Sequence, residues 1–340
     1  MMFSKLKSIA TGVLLATLMA FPTAATAAEK PGQGTTIQMA RATWDTGWFQ
    51  AYVYQQLLEE LGYRVPRIIS LKNPAFYTSV SRGDVDLWVN GWFPLHDTYE
   101  EDFSEGARKV GYVAKGGALQ GYLVSKEHAE KYDITGLEDF KREKVKQAFD
   151  QDGDGKAEMV ACPPGWGCEK TIAEHWDAYG MHKHVDLIKA DYSPSMADAL
   201  ARYKNGEPVF FYTWTPNWTV NVFKPGKDVV WITVPRTVGA EPENTTMKGF
   251  EACTEDPCNL GWVANDIRPV ANKEFLRNNP AAAALLEDVR IPVEDIFAQN
   301  AKMQDGEDSK EDLQRHASEW IENNQDMVDK WLKQARDVAS

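Results

Sequence analysis

The sequence predicts an α/β protein of two lobes, the first assembled from two separated stretches of chain. Three observations carry that expectation. The chain has 340 residues, more than one compact core usually holds. Its N-terminal third alternates strand-like and helix-like segments at the spacing of a helix-covered parallel sheet. A strand-like segment then recurs late, at Gly261–Asn265, just before a largely helical C-terminal part.

The first residues read as an address. Lys5 and Lys7 precede an apolar run from Ile9 to about Phe21, and Ala25-Thr26-Ala27 has the small-x-small pattern of a cleavage site. The run is too short for a comfortable bilayer span. Residues 1–27 are therefore expected to be a removed signal peptide, and the mature chain a soluble, exported one. No cysteine follows the cleavage site, so a free rather than lipid-anchored protein is expected. Losing two lysines and no acidic residue takes the formal charge from −13 to −15. That balance disfavours nucleic acid and anionic membrane as partners.

Thr35–Ala40 reads as an opening strand. Phe49–Leu61 reads as an amphipathic helix that starts near Asp45 or Thr46 and stops at Gly62. Tyr63–Ile69 and Val85–Asn90 read as the next strands, and Gln120–Ser125 (QGYLVS) as the first strand past a lobe crossing. Helices are expected at Glu169–Tyr179, closed by Gly180, and at Ser193–Lys204, closed by Asn205-Gly206. Val209–Thr213 is a buried-strand pattern that Pro216 stops. The last helix is expected to run from about Lys310 to Asp337. The lobe limits that follow are 28–120 with 262–340 for the first lobe, and 121–261 for the second.

Twelve tryptophans punctuate the chain, and their positions matter more than their number. Trp92 lies in NGWFPLHD, past the strand expected to end at Asn90. Trp214 lies in YTWTPNW, after Val209–Thr213. Trp166 lies in CPPGWGCEK, on a glycine turn ahead of a helix. Ligands of open α/β sheets bind beyond the carboxyl ends of strands, so these three indoles are candidate binding faces, whereas Trp176, Trp231, Trp320 and Trp331 read as core. Aromatic faces suit a quaternary ammonium, which carries charge but no hydrogen-bond donor. Gly165, Gly167 and Cys168 precede the expected helix, and their backbone N–H groups make a ready carboxylate site. His96, four residues after Trp92, is a candidate side-chain donor to the same carboxylate.

Four cysteines form two local pairs, Cys162 with Cys168 and Cys253 with Cys258. Sequence leaves three connectivities open, and locality in an oxidising compartment favours the two short loops. Neither spacing is that of a zinc site. Asp150, Asp152, Asp154 and Glu158 in D-x-D-G-D-G-K-A-E resemble a short calcium loop, although Ala161 stands where an EF-hand has its last carboxylate. An ion there would be structural, and no other cofactor is expected. His182 and His184 are a weak metal pair. The G-x-S-x-G, H-E-x-x-H, Walker and dinucleotide fingerprints are missing, so the chain is not expected to be an enzyme.

NGWFPLHD, the acidic stretch from Asp150, CPPGWGCEK, RYKNGEPVFFYTWTP, KPGKDVVWITVP and NPAAAALLEDVRIPVEDIFAQNAKMQDGE occur in one order over most of the mature chain. In this the chain resembles the periplasmic glycine betaine/proline betaine-binding proteins of osmoprotectant ABC importers. The resemblance implies a type II-like periplasmic-binding-protein fold with the ligand in a cleft between lobes. It implies an ammonium cage of Trp92, Trp166 and Trp214, carboxylate contacts from His96 and from the N–H groups of Gly167 and Cys168, and a Cys162–Cys168 disulfide. A membrane ABC permease is the implied partner, and a monomer the expected state. ATWDTGWFQ departs from the family by placing Trp44 and Trp48 near the first strand, and the Cys253–Cys258 pair also looks additional. Trp44 is thus a further candidate ligand contact that would shift preference among methylated onium compounds. The alternatives are choline, carnitine or a sulfonium analogue as ligand, a secreted carbohydrate-binding protein, or a binding protein that serves a sensor.

Overall fold

The computed structural model describes residues 29–340; the expected signal peptide lies outside the described residues. In chain order, β1 (Met39–Ala42), β2 (Ile68–Leu71), β3 (Leu87–Phe93), β4 (Ala107–Lys109) and β5 (Ala114–Ala118) belong to a first sheet. β6 (Gln120–Ser125), β7 (Ala157–Val160), β8 (Val185–Ile188), β9 (Phe210–Trp214) and β10 (Val229–Ile232) form a second. β11 (Thr246–Met247) and β12 (Cys258–Asn259) make a small ribbon, and β13 (Asn265–Asn272) returns to the first sheet.

The first sheet has the order β2-β1-β3-β13-β4, with β5 also paired to β13. β1 runs parallel to β2 and β3, whereas β13 is antiparallel to β3. The second has the order β10-β6-β9-β7-β8, with a parallel half (β8, β7, β9) and an antiparallel half (β9, β6, β10). β3, β6 and β9 are buried at every position. A strand covered by helices on both faces loses the in-out alternation of a half-exposed one.

Several boundaries differ from the sequence reading. The first strand is β1 at Met39–Ala42, with only an isolated bridge at Thr36–Arg64 before it. The second is β2, five residues later than expected. β3 continues through Phe93 because β13 pairs alongside it, Ile267 opposite Trp92, so Trp92 lies within the strand. The return strand begins where the expected one ends, at Asn265. The first long helix is Trp48–Glu60, and Asp45–Gly47 is a separate helical turn ahead of it, without a side-chain cap. The long C-terminal helix is two, Lys310–Asn323 and Gln325–Ala339. Asn324 breaks it by leaving helical backbone angles and turning its amide back to the Trp320 carbonyl.

Candidate functional site

Between the two sheets lies a pocket lined by Trp44, Trp92, His96, Gln120, Trp166, Gly167, Cys168, Tyr212 and Trp214, with Leu95. Every residue that the sequence reading assigned to the cage or to the carboxylate, Trp44 included, is in this wall except Gly165. Gln120 and Tyr212 are additions.

The indoles reach it from both sheets. Trp92 is the penultimate residue of β3 and Trp214 the last of β9. Trp166 stands at the N-cap of the helix Gly167–Tyr179. Trp44 follows β1 by two residues. Trp166 meets Trp44 and Trp214 edge-to-face, at centroid distances of 5.4 and 5.5 Å. The indole N–H groups are all engaged by protein. Asn90 Oδ1 accepts from both Trp44 Nε1 (2.6 Å) and Trp92 Nε1 (3.0 Å). Trp166 Nε1 donates to Thr43 Oγ1 at 2.8 Å, and Trp214 Nε1 to Thr46 Oγ1 at 3.3 Å. What these side chains have left to offer a ligand is carbon: ring faces and edges.

The turn that carries Trp166 is closed by a Cys162–Cys168 disulfide, and a second disulfide joins Cys253 and Cys258. Gly165 has φ +86°, a left-handed backbone that favours glycine. The helix starts at Gly167, two residues earlier than read from sequence. Gly167 and Cys168 are therefore its first two residues, whose N–H groups have no acceptor a turn behind them in the helix. Gly165 does not belong with them: its N–H donates to Glu169 Oε2 at 2.8 Å. Gly167 also has a steric reason to be glycine, because a Cβ there would lie 2.8 Å from His96 Cδ2.

His96 is fully enclosed, and burial pushes its pKa down to about 3. The ring is neutral at pH 7. Its Nδ1 accepts from the Trp92 backbone N–H (3.2 Å) and lies 2.7 Å from the Tyr77 hydroxyl, which places the proton on Nε2. Nε2 faces the Asn73 side-chain amide at 2.9 Å. Asn73 Oδ1 has no other partner, so that amide turned over completes the pair.

Gln120 is the residue that sequence reasoning missed. It stands opposite Trp214 in the β6–β9 register. Its Oε1 accepts from the Tyr212 hydroxyl at 2.6 Å, and its buried Nε2 has no partner. Tyr212 precedes Trp214 by two residues and so shares its face of the strand. That period was visible in the sequence; the cross-strand register was not.

Four consecutive residues after β1 reach the opposite lobe. Thr43 and Trp44 meet Trp166, Asp45 Oδ2 accepts from Ser193 Oγ at 2.8 Å, and Thr46 meets Trp214. Lys170 Nζ adds a bond to Thr98 Oγ1 at 2.9 Å, and the Asn73 N–H one to the Gly165 carbonyl at 3.3 Å. These bonds describe a closed cleft. Burial raises the Asp45 carboxyl above the ordinary carboxylate range, partly offset by the Ser193 hydroxyl.

The other candidates lie outside the cavity wall. Trp48 donates its N–H to the Ala42 carbonyl, and the Arg41 guanidinium covers its ring 3.8 Å from the centroid. His182 is an exposed residue bonded to Asp177. Among the described residues neither His182 nor His184 joins a group of three metal-ligating side chains. Asp150, Asp152 and Asp154, in the loop before β7, come together with Glu158 of that strand.

Residues 35–323 match the family described as the substrate-binding domain of ABC-type glycine betaine transport systems. The chain is 40% identical over 311 residues to the glycine betaine/proline betaine-binding periplasmic protein of Salmonella typhimurium, covering 91% of this chain and 92% of that one. It is 39% identical over 312 residues to a glycine betaine-binding periplasmic protein of Dickeya dadantii, with the same 91% and 92% coverage. In fold it is similar to the closed, glycine betaine-bound lactococcal OpuAC, with TM-score 0.66 at 19% identity over 88% of this chain and 99% of that one. It is also similar to a choline-binding ABC-transporter protein solved with choline, with TM-score 0.68 at 17% identity over 89% and 96%.

Proposed function

The chain belongs to the family of substrate-binding domains of ABC-type glycine betaine transport systems, and we propose that it captures glycine betaine or proline betaine in the periplasm and delivers it to a membrane permease for osmoprotection. The observation that carries this reading is the pairing of two features in one cavity. Indole faces from both sheets surround the space, and the start of the helix Gly167–Tyr179 opens beside it. A betaine has a methyl-covered cation at one end and a carboxylate at the other. Each desolvated indole face supplies about 0.5–2 kcal/mol to such a cation. The N–H groups of Gly167 and Cys168, at the positive end of the helix, take the carboxylate. Gln120 Nε2 is a further donor within the same wall. His96 serves as a neutral support in the wall, its Nδ1 taken by the Trp92 N–H and its Nε2–H by the Asn73 amide, rather than as the carboxylate donor expected from sequence.

A transport role is supported by the family of substrate-binding domains to which the chain belongs. Among the described residues the wall contains no carboxylate, lysine or free thiol, and its one imidazole is held neutral. No described helix is long and apolar enough to cross a membrane. The lobes open and close about the two segments that join the sheets, Leu119 and the stretch between Asn259 and Asn265. The closed form is the one the permease receives.

A second reading, another methylated onium compound, is favoured by Trp44, which adds a fourth indole to the cage. A tryptophan-fluorescence titration of the mature chain with glycine betaine, choline and a disaccharide in parallel separates the readings. Saturation by glycine betaine with a much weaker choline response is the expected result. Equal responses to choline and betaine would remove the carboxylate site, and a response to the sugar alone would contradict the cage.

A further inference from the structure

The loop before β7 and the strand itself carry four carboxylates that the capture of a betaine does not use. Asp150, Asp152, Asp154 and Glu158 each bring a carboxylate oxygen within 4.8 Å of the others. Like charges at that spacing repel, and exposed aspartates by themselves would relieve the repulsion by turning into solvent. Here the backbone fixes them. Asp150 accepts from the N–H groups of Gly153 (2.7 Å) and Gly155 (2.9 Å), Asp152 from Asp154 (3.0 Å), and Asp154 from Lys156 (2.9 Å).

Glu158 is the separate observation. It is the second residue of β7 and only 6% exposed. Its Oε2 accepts from the Gln151 N–H at 2.7 Å, while its Oε1 is buried with no hydrogen-bond partner. A buried carboxylate oxygen without a partner is costly unless it is neutralised or coordinates a cation. Burial raises the pKa of Glu158, and Asp152, Asp150 and Asp154 raise it further, against the Gln151 N–H. The nearest ammonium, Lys156 Nζ, is bound to Asp186 at 2.8 Å and stands 3.9 Å from Asp154.

We propose that Asp150, Asp152, Asp154 and Glu158 bind one calcium ion, with the Oε1 of Glu158 as its buried ligand. Oxygen-only ligation selects a hard cation over zinc or copper. A loop of turns with several carboxylates fits the larger, more adaptable shell of calcium better than the rigid octahedron of magnesium. Ala161, where an EF-hand has its bidentate glutamate, is no obstacle in this arrangement, because the buried carboxylate comes three residues earlier, from the strand. The ion would anchor the start of β7, whose far end leads through Ala161 into the stapled turn with Trp166.

The test uses the mature chain stripped of divalent cations by a chelator. It is titrated with calcium chloride by calorimetry and followed by thermal unfolding, with magnesium chloride in parallel. One calcium per chain is expected, with Tm rising by about 2–4 °C at tenfold over the dissociation constant. Asp152→Asn keeps the side-chain oxygen that accepts from Asp154 N–H but removes charge, and Glu158→Gln removes the buried charge. Both should lose the calcium response, and in chelator Glu158→Gln should melt at or above the unaltered chain. No stoichiometric binding up to ~10 mM calcium, a tenfold margin over the weakest extracellular loops, would overturn the proposal. So would equal binding of magnesium, or a calcium response unchanged in both variants.

Discussion

The two sides of the cleft are held in place by different means. On the second lobe, Cys162–Cys168 is closed on itself by a disulfide, and Gly165 donates to Glu169 within the same turn. On the first lobe, Thr43–Thr46 has no such staple, and its side chains spend their hydrogen bonds on Trp166, Ser193 and Trp214 across the cleft. One side is organised before the ligand arrives; the other completes its bonding when the lobes meet. A stapled turn of this size restricts its own unfolded ensemble by only about 2–3 kcal/mol. Its worth lies in presenting an indole face and two helix-start N–H groups without an ordering cost at binding. The Thr43–Thr46 clasp has the complementary role under the proposed closure, since bonds that cross the cleft form only when the lobes meet.

The largest effect that would break this comparison sits where the two sides touch. Gly167→Ala puts a Cβ 2.8 Å from the His96 ring and should lower betaine affinity about tenfold or more, measured by calorimetry. Next is the clasp. Thr43→Val with Thr46→Val leaves two indole N–H groups without acceptors in the closed form alone, which costs about 1–3 kcal/mol per group. Affinity should fall about tenfold while the melting temperature of the ligand-free chain stays near its original value. An equal loss in ligand-free stability would mean that these threonines hold the lobe rather than the closure.

Asp45 sharpens the comparison through pH. Its carboxyl is raised by burial in the closed form and would return toward the ordinary value once the cleft opens. Closure then takes up a proton between those two values. The added affinity is fully present below the ordinary carboxylate pKa and is lost as pH rises through the raised one. Betaine affinity should therefore increase modestly as pH falls through the raised Asp45 value, and Asp45→Asn should flatten that slope in a pH series of titrations. The smallest effect belongs to the other staple. Cys253→Ser with Cys258→Ser removes a disulfide beside β10 and β12, away from the cage, and should leave affinity unchanged while lowering Tm.

Much of this site could be read in the sequence because each cage indole sits beside a local signal. Trp166 is on a Gly-Pro-Cys turn, and Trp92 and Trp214 close apolar runs that end at prolines. Other parts depend on partners distant in sequence. Asp45 and Thr46 look like a helix start, and only the approach of Ser193 and Trp214 shows what they bond. Asn90 is an ordinary polar residue in a strand until two indoles, 46 and 2 residues away, donate to its one oxygen. Gln120 opens an apolar run, and its place opposite Trp214 is a matter of register, which hydrophobic pattern alone does not set across strands. β3 ran past its apparent end because β13, far downstream, extends the ladder.

The central claim is that glycine betaine sits against Trp166 between the lobes. Calorimetric titration of glycine betaine into the unaltered chain and into Trp166→Ala tests it most directly. The variant loses a cage face and the bond to Thr43 together, worth about 1.4 kcal/mol or more, so its affinity should fall at least tenfold. Equal affinities would contradict the account.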